Sequence, residues 1–221
     1  MSQDTKDDAL ELIRTYLPKY LTPDQKDNLF SVVKENFPLS NNSKLIYYNF
    51  LDADYFYQGD AIIDIPFAEF NNGEYSTIYL NGVVMSNTCD ISPENERLDK
   101  SFVQLSSVFA LKDYIETLVS NGIVQPRIDS FIKDLKSNRI SNLFYLPAKM
   151  NGNKTMLEES FIRFDLNVTL PLSVLENDSY DNEYIPKGDR IFSFSNYGFY
   201  LFLIKLSIHY CRFKEGVFRS A

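Results

Sequence analysis

The apolar residues of this chain follow two different periods, and the first of them is helical. Leu10, Ile13 and Leu17 recur at helical spacing, which predicts that this part of the chain is a helix. The segment TPDQ at residues 22–25 supplies an N-cap, a first-turn proline and a capping-box glutamine for a second helix. Residues 1–44 are therefore predicted to form a helical hairpin, and the turn-forming sequence LSNNSK that follows it places a domain boundary near residue 45.

Beyond residue 45 the pattern changes to short runs rich in Ile, Val, Phe and Tyr, separated by turn-forming residues. Such runs predict consecutive β-strands, and three of them are GDAIIDIPFAEF (59–70), YSTIYLNGVVMSN (75–87) and SFVQLSSVFALK (101–112). Helical spacing returns at about 109–139, the strand pattern then resumes with a hairpin signal at Asn151-Gly152, and an apolar run at 197–213 predicts a buried C-terminal helix. The chain is therefore predicted to be α+β, with residues 45–221 forming a small, mostly antiparallel sheet or barrel that carries the helical insertion.

Composition limits the classes of function. The chain has 221 residues, of which 44% are hydrophobic, which is enough for a folded core. Its 30 acidic and 22 basic residues give a net charge of −8, which opposes whole-surface attraction to nucleic acid or anionic lipid. No apolar run reaches the roughly 20 residues of a membrane span, and the N-terminus lacks the features of a signal peptide. We therefore expect a cytoplasmic protein without membrane association.

The C-terminal part of the chain has the opposite charge. From residue 187 to the end, two acidic residues face six basic ones, which are Lys187, Arg190, Lys205, Arg212, Lys214 and Arg219. This basic region leaves RNA binding open, although the same residues could neutralise the acidic surface of the chain itself.

The sequence SNTCDIS at residues 86–92 is the first candidate site. It places Cys89 directly after a predicted strand, beside Asp90 and among the small polar residues Ser86, Asn87, Thr88 and Ser92. In one interpretation, backbone N–H groups and hydroxyls surround a thiolate or a bound anion, and the thiol is a nucleophile. In the other, Cys89 is a small buried residue at a strand end and Asp90 caps a turn.

Partners for this cysteine could come from the C-terminus. His209 is the only histidine, and with Cys89 it would have the composition of a thiol hydrolase site. Cys89, Asp90, His209 and Cys211 could also be considered as zinc ligands, but their spacing matches no familiar structural zinc site. The sequence therefore predicts no metal and no cofactor, and the two distant cysteines predict no disulfide.

Other carboxylates have simpler interpretations. Asp60 and Asp64 share a face of a predicted strand but lie about 13 Å apart along it, too far to act as a coupled pair. We expect Asp60 to end a turn after Gly59 and Asp64 to lie on a polar edge. Glu158 and Glu159 are expected to be solvated.

Several of these segments together resemble a known family. The order YQGDAIIDIPF, loop, GVVMSN, loop, SFVQLSSV within residues 57–111 resembles the small β-barrel of the PemK/MazF-type toxins. The SxTCDI signature at residues 86–91, together with FYLPA, FIRFDL and KLSIHYCRF, is similar to a group of bacterial proteins that share it across most of the chain. The first resemblance implies a PemK/MazF-like barrel and a place in a toxin–antitoxin or phage-defence system, because that family includes RNA-cleaving toxins inhibited by an antitoxin.

The chain departs from that family at the catalytic pair. The resemblance implies an arginine before the strand GVVMSN, where this chain has Asn81-Gly82, and a hydroxyl in the next strand, for which Ser106 or Ser107 is available. A serine without a neighbouring cation has little means of stabilising a phosphorane. We therefore favour a recognition module that binds a protein or small ligand through the barrel and the Ser86–Ser92 loop, with a protein partner or a second copy of the chain as binding partner. The alternative is an enzyme with Cys89, Asp90 and Ser107 as candidate catalytic residues, either a diverged endoribonuclease or a Cys89-dependent hydrolase.

Overall fold

A computed structural model describes residues 46–48, 56–92, 95, 102–151, 154–176 and 190–210. The helical hairpin predicted for residues 1–44 lies outside these residues. Within them, no helix is long and apolar enough to cross a membrane.

A seven-stranded antiparallel sheet forms the centre of the protein. Its strands in spatial order are β1 (Tyr47–Tyr48), β9 (Arg190–Phe194), β2 (Ala61–Asn71), β3 (Glu74–Val84), β4 (Phe102–Ala110), β8 (Ser160–Pro171) and β5 (Leu143–Leu146). A separate hairpin pairs β6 (Lys149–Asn151) with β7 (Lys154–Leu157), on either side of the predicted turn.

The three longer helices lie where the sequence predicts them. Within 109–139 the structure has α2 (Leu111–Ser120) and α3 (Gln125–Lys136), and Pro126 occupies the first turn of α3, where its missing N–H has no intrahelical partner to lose. The C-terminal helix is α5 (Asn196–Tyr210). Two four-residue helices, α1 (Thr88–Ile91) and α4 (Ser173–Glu176), were not predicted.

The α+β class and the mostly antiparallel sheet are confirmed, but a closed barrel is not seen. Over the described residues the sheet is open, with β1 and β5 as its two edges. The two edges nevertheless come close to each other. The Tyr47 hydroxyl on one edge donates a 2.6 Å hydrogen bond to the Pro147 carbonyl, which directly follows the strand at the other edge. The edges therefore approach through a side chain rather than through a strand ladder.

Side chains on the two faces of the sheet pack into different parts of the core. On one face, Val83 and Val108 pack with Phe202 of α5. On the other face, Ile62 and Leu105 belong to a second cluster. A third cluster joins α2 and α3 to the sheet through buried residues, which are Leu111, Leu135, Leu143, Tyr145 and Phe161.

The β2–β3 hairpin extends beyond the sheet. Strand β3 pairs with β4 only at Asn81–Val84, and β2 pairs with β9 only at Ala61 and Ile62. Asn72 and Gly73 close the hairpin with φ angles of 52° and 87°, the left-handed values of a type I′ turn. Residues 65–80, called the β2–β3 ribbon below, therefore pair only with each other in the part of the chain that the structure describes.

Candidate functional site

The predicted loop at residues 86–92 folds as a short helix with its own cap. The Asn87 side chain accepts a 2.9 Å hydrogen bond from the Cys89 N–H, which fixes the start of α1. Ile91 is buried in the same cluster as Leu105, which attaches α1 to the sheet, and Ser92 is its C-cap. The backbone of the loop is thus held at both ends.

The small polar residues of this loop bind backbone groups of other segments. The Ser86 hydroxyl accepts a hydrogen bond from the Gln104 N–H at 2.9 Å, and the Thr88 hydroxyl accepts one from the Gln58 N–H at 3.0 Å. The prediction that Ser86, Asn87, Thr88 and Ser92 bind a ligand stays a prediction, and the structure adds a structural role for three of them. Asn87, Ser86 and Thr88 satisfy backbone donors that would otherwise be unpaired.

Cys89 and Asp90 are presented outward by this arrangement. Both residues are exposed, and Cys89 is a free thiol. The interpretation of Cys89 as a buried packing residue is therefore wrong. Its backbone carbonyl also accepts a hydrogen bond from the Asn95 side chain. The loop thus offers an accessible thiol and a carboxylate on a fixed backbone.

A buried ion pair supports the turn on which this loop rests. Asp60 is 2% exposed, and its carboxylate lies 3.0 Å from Nε of Arg190, whose guanidinium stacks over the Phe56 ring at 5.0 Å. The Tyr57 N–H donates to the same carboxylate. Burial raises the pKa of Asp60, and the opposing effects of Arg190 and Tyr57 only partly offset it. Asp60 is thus more than the turn-ending residue predicted, because its charge is paired in the interior.

Ser106 and Ser107 lie next to each other in β4 but have different environments. Both are 0% exposed. The Ser106 hydroxyl donates to the Asn167 side chain, whereas the Ser107 hydroxyl has no hydrogen-bond partner among the described residues. In the β4–β8 ladder, Arg163 lies opposite Ser107, but its guanidinium is bound to Asp165 at 2.9 Å. A buried hydroxyl cannot reach an RNA phosphate in this fold, so the geometry does not favour Ser107 as a nucleophile.

His209, which was considered as a partner of Cys89, packs in a different part of the core. The His209 ring packs on Phe164 with a centroid distance of 5.8 Å, in the cluster under α5, whereas α1 packs on the other cluster. Cys211 lies outside the described residues. In the part of the chain that is described, no three His, Cys, Asp or Glu side chains are grouped so that they could hold a metal ion.

Two cations of the basic C-terminal region are used inside the fold. Arg190 pairs with Asp60, and Lys205 is 2% exposed, with its ammonium group donating a 2.5 Å hydrogen bond to the Asn138 carbonyl. Neither is presented to RNA. The other four basic residues of the region lie outside the described residues.

An open cleft of about 520 Å³ lies between α2 and the β6–β7 hairpin. Its lining includes Leu111, Ile115, Ala148, Met150, Glu158 and Glu159. Contrary to the sequence prediction, Glu159 is not simply solvated, because its carboxylate accepts hydrogen bonds from Lys136 at 2.6 Å and from the Tyr145 hydroxyl. Burial raises the pKa of Glu159, but these two donors outweigh it and hold the pKa below its usual range. A carboxylate in this state is a weak base, so Glu159 is not an activated general base.

Sequence reasoning missed the residues that hold the loop, which are Gln58, Asn95, Gln104 and Arg190. Gln58 and Gln104 lie in the quoted segments YQGDAIIDIPF and SFVQLSSV, but neither segment indicates that these residues bind the distant loop. Comparison with known proteins adds nothing to this site, because no family model, curated protein or solved structure matches the chain.

Proposed function

We propose that this protein is a recognition module that binds a protein partner through one face of the β2–β3 ribbon. The observation that carries this proposal is a set of exposed aromatic side chains on a regular two-stranded hairpin. Phe70, Tyr75 and Tyr79 are 62%, 81% and 61% exposed. Aromatic residues are enriched at protein interfaces because they bury large areas and have few rotatable bonds.

The register of the hairpin places these side chains together. Phe70 lies opposite Tyr75, with ring centroids 4.8 Å apart, and Tyr79 lies opposite Pro66. Side chains of directly opposed residues share a face of the sheet, and alternate residues of one strand share it too. Pro66, Ala68, Phe70, Tyr75, Thr77 and Tyr79 therefore form one continuous surface, which we call the aromatic face. It is formed by adjacent residues rather than by scattered apolar side chains, and such patches mark interaction sites.

The 86–92 loop adds a second element that suits recognition. Its backbone is fixed by Asn87, Ser86 and Thr88, so Cys89 and Asp90 are presented without a large cost in conformational entropy. The setting in a toxin–antitoxin or phage-defence system, and the finer likeness to a PemK/MazF-type barrel, belong to this proposal and rest on the sequence resemblance.

The test is the effect of surface substitutions on partner capture from cells that express the protein naturally. The variant Tyr75→Ser/Tyr79→Ser removes two exposed rings, and the matched control Val119→Ser/Val124→Ser removes exposed apolar side chains at and after the end of α2. We expect one partner to be captured by wild type and control, and its measured affinity to fall at least about tenfold in the ribbon variant. Equal affinity in all three forms would contradict the proposal.

The exposed thiol keeps the Cys89-dependent hydrolase as a second candidate function. This candidate predicts that any growth defect on expression in bacteria is relieved by Cys89→Ala or Asp90→Ala and not by Tyr75→Ser/Tyr79→Ser. The recognition module predicts that Tyr75→Ser/Tyr79→Ser relieves the defect. The same growth assay therefore separates a catalytic loop from a binding surface.

A further inference from the structure

One edge of the β2–β3 ribbon is open to another strand. In the described part of the chain, residues 74–80 of β3 have no neighbour on the side away from β2. The corresponding edge of β2 is interrupted by a bulge between Ile62 and Ile65, where Asp64 has a φ of 55°, and by Pro66, which lacks an N–H. Bulges and prolines are features that block strand addition. The ribbon therefore has one edge suited to pairing and one that is protected.

The charge of the ribbon has a single sign. Residues 61–84 contain Asp64, Glu69 and Glu74 and no Lys, Arg or His. Among the residues that the structure describes, none of the three carboxylates forms an ion pair, and Glu69 and Glu74 are exposed at the end of the hairpin. A surface with this charge attracts basic partners and repels acidic ones.

The two faces of the ribbon differ in chemistry. Glu69 lies opposite Ser76 and Asn71 lies opposite Glu74, so these residues share the face opposite the aromatic face. This acidic face is polar at the end of the hairpin, where the aromatic face has Phe70 and Tyr75. Because side chains alternate along a strand, a strand added beside β3 would place every second residue over each face.

We propose that the β3 edge at residues 74–80 binds an extended segment of a partner protein in which apolar residues alternate with Lys or Arg. The apolar residues extend the aromatic face, and main-chain hydrogen bonds to β3 supply the pairing. Near the end of the hairpin a basic residue lies beside Glu74, with Glu69 one strand further away on β2. This inference rests on the proposed function, and it specifies the chemistry of the partner segment and the way in which that segment binds. A second copy of the chain fits less well, because edge pairing of two ribbons would bring their carboxylates together in a protein of net charge −8.

The probe is a capped synthetic peptide as long as the free edge, which alternates lysine with valine or phenylalanine. Its first control replaces each lysine by glutamate, and its second carries N-methyl groups on alternate backbone amides, which removes the donors needed for strand pairing. Binding is measured by isothermal titration calorimetry at physiological ionic strength. We expect the lysine peptide to bind at least about tenfold more tightly than either control, because each control removes one required interaction.

Protein variants locate the binding site. Glu69→Lys/Glu74→Lys reverses the charge of the acidic face, and Asp113→Lys/Glu116→Lys makes the same change of net charge on α2. We expect the first variant to weaken binding of the lysine peptide about tenfold and the second to change it less than about twofold. Far-UV circular dichroism confirms that each variant is folded.

The outcomes separate this inference from the proposed function. Equal binding of the lysine and N-methylated peptides, or equal binding by both charge variants, would overturn strand addition at this edge. Self-association is measured by analytical ultracentrifugation. If wild type self-associates and Tyr75→Ser/Tyr79→Ser does not, the occupant of this edge is a second copy of the chain, and the proposal of a basic partner segment is overturned. If these results occur while the natural partner is still lost in the ribbon variant, the recognition module stands and only its edge-pairing mode fails.

Discussion

Adjacent serines in β4 show how much a single hydroxyl depends on its partner. Ser106 and Ser107 are equally buried, but within the described part of the chain only the Ser106 hydroxyl has a hydrogen-bond partner, Asn167. Removing a paired buried hydroxyl costs about 1 kcal/mol, whereas removing an unpaired one relieves a desolvation penalty of about 1 kcal/mol or more. We therefore expect Ser107→Ala to raise the free energy of unfolding by about 1 kcal/mol and Ser106→Ala to lower it by a similar amount. Urea unfolding of both variants checks this prediction, and a loss of stability in Ser107→Ala would show that its hydroxyl is satisfied after all.

Helix α5 illustrates a contact that acts through the backbone of a whole element. Gly198, near its start, faces the backbone of the chain just before β1, where a Cβ atom would lie 2.2 Å from the Ile46 carbonyl oxygen. That carbonyl cannot move freely, because it also accepts a hydrogen bond from the Ser195 N–H at 2.8 Å.

In an unconstrained helix, replacing Gly by Ala raises the free energy of unfolding by about 1 kcal/mol. Here we expect Gly198→Ala to destabilise by about 3 kcal/mol or more, as overpacking does, while Ser207→Ala on the exposed face of α5 changes stability by less than about 1 kcal/mol. Thermal unfolding of the two variants provides the comparison, and a stabilised Gly198→Ala would contradict the close approach.

At the scale of the whole molecule, the buried ammonium group of Lys205 makes stability depend on pH. Burial lowers the pKa of Lys205 to about 8, from an ordinary value near 10.4 in the unfolded chain. Between these values the unfolded chain binds more protons at this side chain, so its contribution to stability rises as the pH increases from about 8 to about 10. Below pH 8 the free-energy cost of burying the charged ammonium group is fully present. A shift of this size corresponds to about 3 kcal/mol, and loss of the hydrogen bond to Asn138 offsets about 1 kcal/mol of it.

We therefore expect Lys205→Met to be about 2 kcal/mol more stable than wild type at pH 7, and the difference to shrink towards pH 10. Urea unfolding of both forms at pH 7, 8, 9 and 10 tests this, and a difference independent of pH would contradict it.

The sequence by itself determined the class of the fold and the approximate positions of many described elements. Helices α2 and α3 and strands β2, β3 and β4 follow from apolar periodicity, and α5 follows from a continuous apolar run. The start of α3 follows from Pro126, because all these signals act between residues close in sequence. The position of the 86–92 loop was predicted for the same reason.

Only the tertiary structure decided what the residues of that loop do and which surface is free for a partner. Ser86 and Thr88 bind Gln104 and Gln58, and Asp60 pairs with Arg190, which is 130 residues away in the chain. The open order of the sheet and the exposure of the aromatic face likewise depend on which strands become neighbours. Local patterns specify the period of a segment, but burial and ion pairing are set by contacts between distant segments, and no local pattern contains that information.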